Sequence, residues 1–156
     1  MRLDEAPAFM RGFVQNIILR RAVPFTGTAG VQFVSLTPER VEVRLANEHR
    51  VRNHIGSVHA SAMNLLAETA TGMAVGMNVR DDCLPLAKEL SMAFKKRATG
   101  ALKAVATLTA EQRAAMQASD KGEVQVKVTV TDETGVEPVE CAFTWAWVPS
   151  SRPAKN

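Results

Sequence analysis

Between Asn53 and Val79 the chain carries one formally charged residue, Glu68. Ala60, Ala62, Met63, Leu65, Leu66, Ala67, Ala70, Met73, Ala74, Val75 and Met77 surround it, so the segment reads as a helix that is apolar almost all round. Such a helix belongs in the middle of a fold. A carboxylate is costly to take out of water, so a lone acid there is neutralised, paired, or kept for chemistry as a base or nucleophile. One possible partner is Asn64, four residues earlier. Asn53, Gly56, His59, Ala60 and Ser61 stand where the helix begins. The first turn of a helix has free backbone N–H groups and a positive dipole end, so Ala60 and its neighbours could stabilise a developing oxyanion. Glu68 lies eight residues on, roughly 12 Å along the axis. That is too far for both to grip one atom. It suits a base acting through water, or one serving a substrate held across a partner subunit. Burial should raise the Glu68 pKa towards a value useful to a general base.

Lys95, Lys96 and Arg97 form the one basic cluster near a predicted strand end. On a strand, Lys95 and Arg97 share a face, where two cations could meet phosphates or stay solvated. Met10, Met63, Met73, Met77 and Met92 read as core or as lining of an adaptable pocket. Trp145 and Trp147 alternate and read as core or interface. His54 reads as a loop residue, and Cys83 and Cys141 as inert thiols.

The elements that must position these residues follow from periodicity. Phe9, Phe13, Ile17 and Leu19, with Arg11, Arg20 and Arg21, predict an amphipathic leading helix within residues 1–25, ended by Pro24 and Gly27. Two alternating runs follow, joined by a turn at Thr37–Arg40; in the second, Val41, Val43 and Leu45 oppose Glu42 and Arg44. After the long helix come strands around Leu90–Phe94, Leu102–Leu108, Val124–Val130 and Cys141–Trp147. A short helix over 109–122 interrupts them, with Thr109 and Gln112 as a capping box and Gly122 as its stop. This order predicts an α+β fold in which a curved antiparallel sheet wraps a long central helix. One domain over 1–156 is expected, with a frayed tail at 150–156.

Two distant cysteines give no disulfide framework or metal-ligand spacing and fit a reducing, cytoplasmic setting. Early acidic residues and the lack of an apolar run argue against a signal peptide. The quiet stretch 60–79 is not expected to span a membrane, since Glu68 at its centre would cost roughly 2.5–3.5 kcal/mol. A net charge of +3 with few aromatics is no nucleic-acid signature, though it is compatible with an anionic ligand.

Taken as a unit, Asn53 to Ala70 reads N-H-I-G-S-V-H-A-S-A-M-N-L-L-A-E-T-A. It resembles the N-x-x-G-x-x-H-G-G-x-x-x-x-L-A-[DE]-x-A signature of hotdog-fold acyl-CoA thioesterases of the phenylacetate-degradation type. It is closer still to the branch named domain of unknown function 4442. PFTGTAG before the first strand and FKKRATGALKAVA around a strand–turn–strand extend the resemblance. It implies a hotdog fold, hydrolysis of an acyl-CoA to a carboxylic acid and free coenzyme A, and no cofactor or metal. Glu68 matches the acid that attacks the thioester or activates a water. Ala60 matches the Gly whose N–H polarises the carbonyl, with Asn53 and His59 as supporting residues. Gly56 and Ser61 border the substrate, with Lys95 and Arg97 as candidate phosphate contacts. A homodimer joined edge to edge, or a dimer of dimers, is implied. Ala60-Ser61 stands where the signature has Gly-Gly, which leaves a non-catalytic acyl-CoA or fatty-acyl binding protein as the alternative. A hotdog dehydratase would carry a Phe-Pro-Gly-x-Pro type of loop around its histidine, and this chain has none.

Overall fold

The computed structural model describes residues 10–151. Two helices lead, α1 (Arg11–Ala22) and α2 (Pro24–Ala29), followed by strands β1 (Gln32–Leu36) and β2 (Arg40–Leu45). The long helix α3 (Ala60–Gly76) precedes β3 (Cys83–Phe94) and β4 (Leu102–Thr107). Helix α4 (Ala110–Ala118), β5 (Gly122–Asp132) and β6 (Val139–Pro149) complete the chain. All six strands form one antiparallel sheet in the order β1-β2-β4-β5-β6-β3. The expected α+β class, with α3 packed into a curved sheet, is what the structure has.

The sheet's inner face is built by period-two alternation. Val41, Val43 and Leu45 on β2, and Leu102, Ala104 and Ala106 on β4, are almost wholly buried. Val124, Val126 and Val130 on β5 and Phe143, Trp145 and Trp147 on β6 continue that face. Ala104 and Ala106 face Ala67, Ala70 and Ala74 of α3 as part of one core, and such small side chains let the helix backbone sit close to the strands. A bulge between Ala87 and Glu89 resets the facing of β3. Cys83, Pro85 and Ala87 pair with Pro149, Trp147 and Trp145 before it; Leu90, Met92 and Phe94 pair with Phe143, Cys141 and Val139 after it. Leu90 and Phe94 remain exposed although their cross-strand partners are buried.

Two close approaches are made possible by glycine. A Cβ on Gly72 of α3 would lie 2.7 Å from the Trp145 ring, and one on Gly122 would overlap the Trp147 ring. Both indoles are satisfied: Trp145 Nε1 donates to Thr71 Oγ1 at 2.9 Å and Trp147 Nε1 to the Ser119 carbonyl at 3.0 Å.

Several expectations are corrected. The leading helix does stop just before Pro24, but Pro24 also opens a second helix, α2, at the position where its missing N–H costs nothing, and Gly27 lies inside that helix instead of ending the first. Val14 is the buried residue of α1, whereas Phe13 is 66% exposed and Ile17 and Ile18 are exposed, so α1 does not bury the stripe read from its sequence. Phe9 and most of the 150–156 tail lie outside the described residues. The Thr109–Gln112 capping box is present, but α4 ends at Ala118 and Gly122 starts β5, where it makes room for Trp147. Helix α4 buries Met116, and its Gln117 donates to the Asn78 carbonyl at 2.7 Å, which places it over the C-terminal end of α3.

Candidate active site

His59 caps α3. Its backbone is extended, and its Nδ1 accepts the Ser61 N–H at 3.0 Å, which puts the ring proton of the neutral imidazole on Nε2. The His59 carbonyl accepts from Ala62 and Met63 N–H. The Ala60 N–H has no acceptor among the described residues. Of the first-turn donors, Ala60 therefore holds the one left unspent among the described residues.

The loop before the helix is fixed by Asn53. Its Oδ1 accepts from Ile55 N–H and Ser57 N–H, both at 3.1 Å, and its own N–H donates to the Ser57 carbonyl at 2.8 Å. Gly56, with φ +79°, takes the left-handed turn position this loop needs. The Asn53 Nδ2 group has no acceptor among the described residues. Asn53 and Ala60 border one pocket of about 150 Å³ together with Ile55, Met63, Phe94 and Lys96. Two unspent N–H donors thus flank a single cavity.

The expected placement of Lys95 and Arg97 on a strand face is not met, because β3 ends at Phe94. Lys95 pairs with exposed Glu140 at 3.3 Å. Arg97 donates to the Ile55 carbonyl at 2.7 Å and to Ser57 Oγ at 3.2 Å, so it fastens the Asn53 loop. Lys96, not Lys95, borders the Ala60 pocket beside Arg97. Sequence spacing could not show this, since the chain leaves the strand one residue before the cluster.

Along α3 the residues Ser61, Asn64, Glu68 and Gly72 form a stripe that the sheet leaves partly open, although the sequence suggests burial all round. The carboxylate of Glu68 makes no hydrogen bond or ion pair among the described residues. Burial alone lifts its pKa above the ordinary glutamate value. The pairing with Asn64 is not made; Asn64 Oδ1 is itself buried without a partner. Glu68 opens on a pocket of about 210 Å³ in the slot between the two edges of the curled sheet. Phe33 of β1, Leu19 of α1, Val23 between the two leading helices, Pro85 of the edge strand β3 and Trp145 of its neighbour β6 line it. No sequence signal could have found these walls, because they come from one helix, the junction after it and three separate strands.

His59 and Ser61 border a third pocket, of about 220 Å³, with Phe25, Arg50 and Arg52. Within one chain the structure therefore gathers Asn53 and Ala60, and keeps Glu68 and His59 in separate cavities. Among the described residues no group of three His, Cys, Asp or Glu could hold a metal, and no helix is long and apolar enough to cross a membrane.

Comparison with curated proteins found no match. Solved structures match well. A Pseudomonas aeruginosa protein, described as of unknown function and a probable thioesterase, is 25% identical with a TM-score of 0.79, over 88% of this chain and 95% of that one. A Haemophilus influenzae thioesterase aligns at 14% identity and TM-score 0.69, over 90% and 92% of the two chains. A Silicibacter pomeroyi thioesterase family protein aligns at 17% and 0.67, over 89% and 100%. The fold is that of the hotdog thioesterase superfamily. Residues 13–148 match the family model of the domain of unknown function DUF4442, and the chain belongs to that family.

Proposed function

We propose that the protein is an acyl-CoA thioesterase in which Glu68 acts as general base or nucleophile. The observation that carries this is the Glu68 carboxylate itself: half-buried, unpartnered, raised in pKa, and set at an otherwise apolar pocket. An acid kept in that condition is poised to accept a proton or attack an acyl carbon. The Ala60 N–H and the Asn53 amide supply donors for the tetrahedral oxyanion. The thioesterase descriptions of the structural relatives agree with this chemistry.

Ala60 and Glu68 border different pockets of one chain, so the reaction is assembled across two copies. Strand β3 offers the means: it is twelve residues long and sits at the sheet edge, pairing among the described residues only with β6. A second copy adding along β3 would bring its own α3 alongside, in a homodimer or a dimer of dimers. Lys96 and the remaining Arg97 N–H groups suit the phosphates of coenzyme A at the Ala60 pocket.

The test is thiol release from a panel of acyl-CoAs by the wild type, Glu68→Gln and Ala60→Pro. Proline is favoured at the first helical position, and His59 already has the extended backbone that a following proline demands. Ala60→Pro therefore deletes one N–H and little else. Turnover that needs both residues supports the assignment. Acyl-CoA binding with no turnover would instead support a binding protein.

A further inference from the structure

We propose that Asn64 stands on the two-fold axis of the active dimer, its amide bonded to the same amide of the second copy, and that this pair sets the register of the two α3 helices. The inference rests on the reading above, in which Ala60 of one copy works with Glu68 of the other. A two-fold axis makes that relation reciprocal. Glu68 of the first copy then meets Ala60 of the second, and the two helices run antiparallel where they face. The residue midway between 60 and 68 lies opposite itself, and that residue is Asn64.

The structure marks Asn64 independently. Ala60, Asn64, Glu68, Gly72 and Gly76 follow one another at steps of four along α3, and each is exposed or half-buried. Such a row is a ridge on which a second helix packs. On that ridge the Asn64 amide makes no hydrogen bond among the described residues, and its Oδ1 is buried without a donor. An acceptor in that condition weighs against the fold until a donor reaches it. Asn16 and Asn78 show how the amide is satisfied on a helix: each donates Nδ2 to the carbonyl four residues back, at 2.9 and 2.8 Å. A half-turn of the Asn64 amide, about a broad and soft terminal torsion, aims Nδ2 at the Ala60 carbonyl in the same way and Oδ1 outward. There Oδ1 accepts the second N–H of its counterpart and the bond is returned. An amide suits this position because it brings a donor, an acceptor and no charge to a copy of itself. A lone buried asparagine fixes the register of paired helices for the same reason.

Strand β3 puts its centre in the same place. Phe94 shares a pocket with Ala60, and Pro85 shares one with Glu68 and Gly72, so the middle of β3 runs beside Asn64. Antiparallel pairing of β3 with itself over its full length is centred between Lys88 and Glu89. One axis therefore serves strand and helix. Leu90 and Phe94, exposed although their cross-strand partners are buried, then lie beneath the second copy.

The test uses the full-length protein and reads association, not turnover. Asn64→Asp and Asn64→Lys should each weaken dimerisation by about tenfold or more, since like charges meet on the axis, and an equimolar mixture should restore it. That rescue requires a residue that faces itself. Analytical ultracentrifugation reads it. As a second measurement, mildly oxidised Asn64→Cys should give a covalent dimer whose peptide map shows a 64–64 disulfide. Ala60→Cys and Glu68→Cys each lie roughly 12 Å along the helix axis from their own counterpart, so neither should link to itself. Wild type controls for the native thiols Cys83 and Cys141. Rescue on mixing supports the placement with or without the disulfide. A mixture no tighter than its components overturns it, as does self-linking at Ala60→Cys or Glu68→Cys when Asn64→Cys stays unlinked. A wild type that hydrolyses no acyl-CoA while the mixture is rescued would sink the hydrolase reading alone. Turnover that needs Glu68 and Ala60 without rescue on mixing would sink the Asn64 pair alone.

Discussion

Arg97 holds the Ile55 carbonyl at 2.7 Å, and through it the loop on which Asn53 stands. A cation read from sequence as a phosphate contact is thus also a strut of the site. Arg97→Ala should lower stability by about 1 kcal/mol and reduce kcat, because the Asn53 amide loses its seat. Lys96→Ala, by contrast, should raise KM with kcat nearly unchanged and flatten its salt dependence. Steady-state kinetics at two ionic strengths separate the two roles.

Replacing Glu68 with Gln should cost about 10²–10⁴-fold in turnover. It should also stabilise the protein at neutral pH. The folded-state pKa of Glu68 is raised, so the favourable contribution of this group is complete below its unfolded value and is lost as pH rises through the folded value. The melting temperatures of wild type and variant should therefore nearly coincide at acidic pH and diverge, variant higher, towards pH 7. An unchanged gap across that range would mean that Glu68 is not strained by its burial.

The same shift predicts the activity profile. If the carboxylate is the reactive form, kcat/KM rises with pH and levels off once Glu68 ionises, with a midpoint above the ordinary value of 4.5. Stopped assays on a stable acyl-CoA between mildly acidic and neutral pH would show it. A midpoint at or below that value would remove Glu68 as the titrating base.

Gly72→Ala tests the seat of the helix. At an open helix position this change gains about 1 kcal/mol. Here the new methyl would meet the Trp145 ring at 2.7 Å, so the sign should reverse, to a loss of about 1–3 kcal/mol. Chemical denaturation monitored by circular dichroism would decide it.

Much of this was legible in the chain. The alternation of Val41, Val43 and Leu45 and of Val124, Val126 and Val130 specified strands because one face of each is buried. The fixed spacing from Asn53 to Glu68 located the helix start and its acid. The leading segment misled, since Phe13 and Ile17 have helical spacing yet stay exposed at the rim of β1 instead of entering the core. Lys95 misled for a local reason: the strand stops one residue earlier, and which side chain turns towards Ala60 depends on that stop. The walls of the Glu68 slot were beyond reading, because residues from position 19 to position 145 meet there only through the curl of the sheet.

The chain has two tryptophans and no tyrosine. One indole, that of Trp145, lines the Glu68 pocket, and the other packs against Gly122 away from it. The protein's own ultraviolet emission therefore comes from two rings, one of them a wall of the cavity. Filling the cavity should change the brightness or colour of that emission, and Trp147→Phe would leave a single lamp inside the site. Occupancy can be followed by light alone, with no label and no turnover.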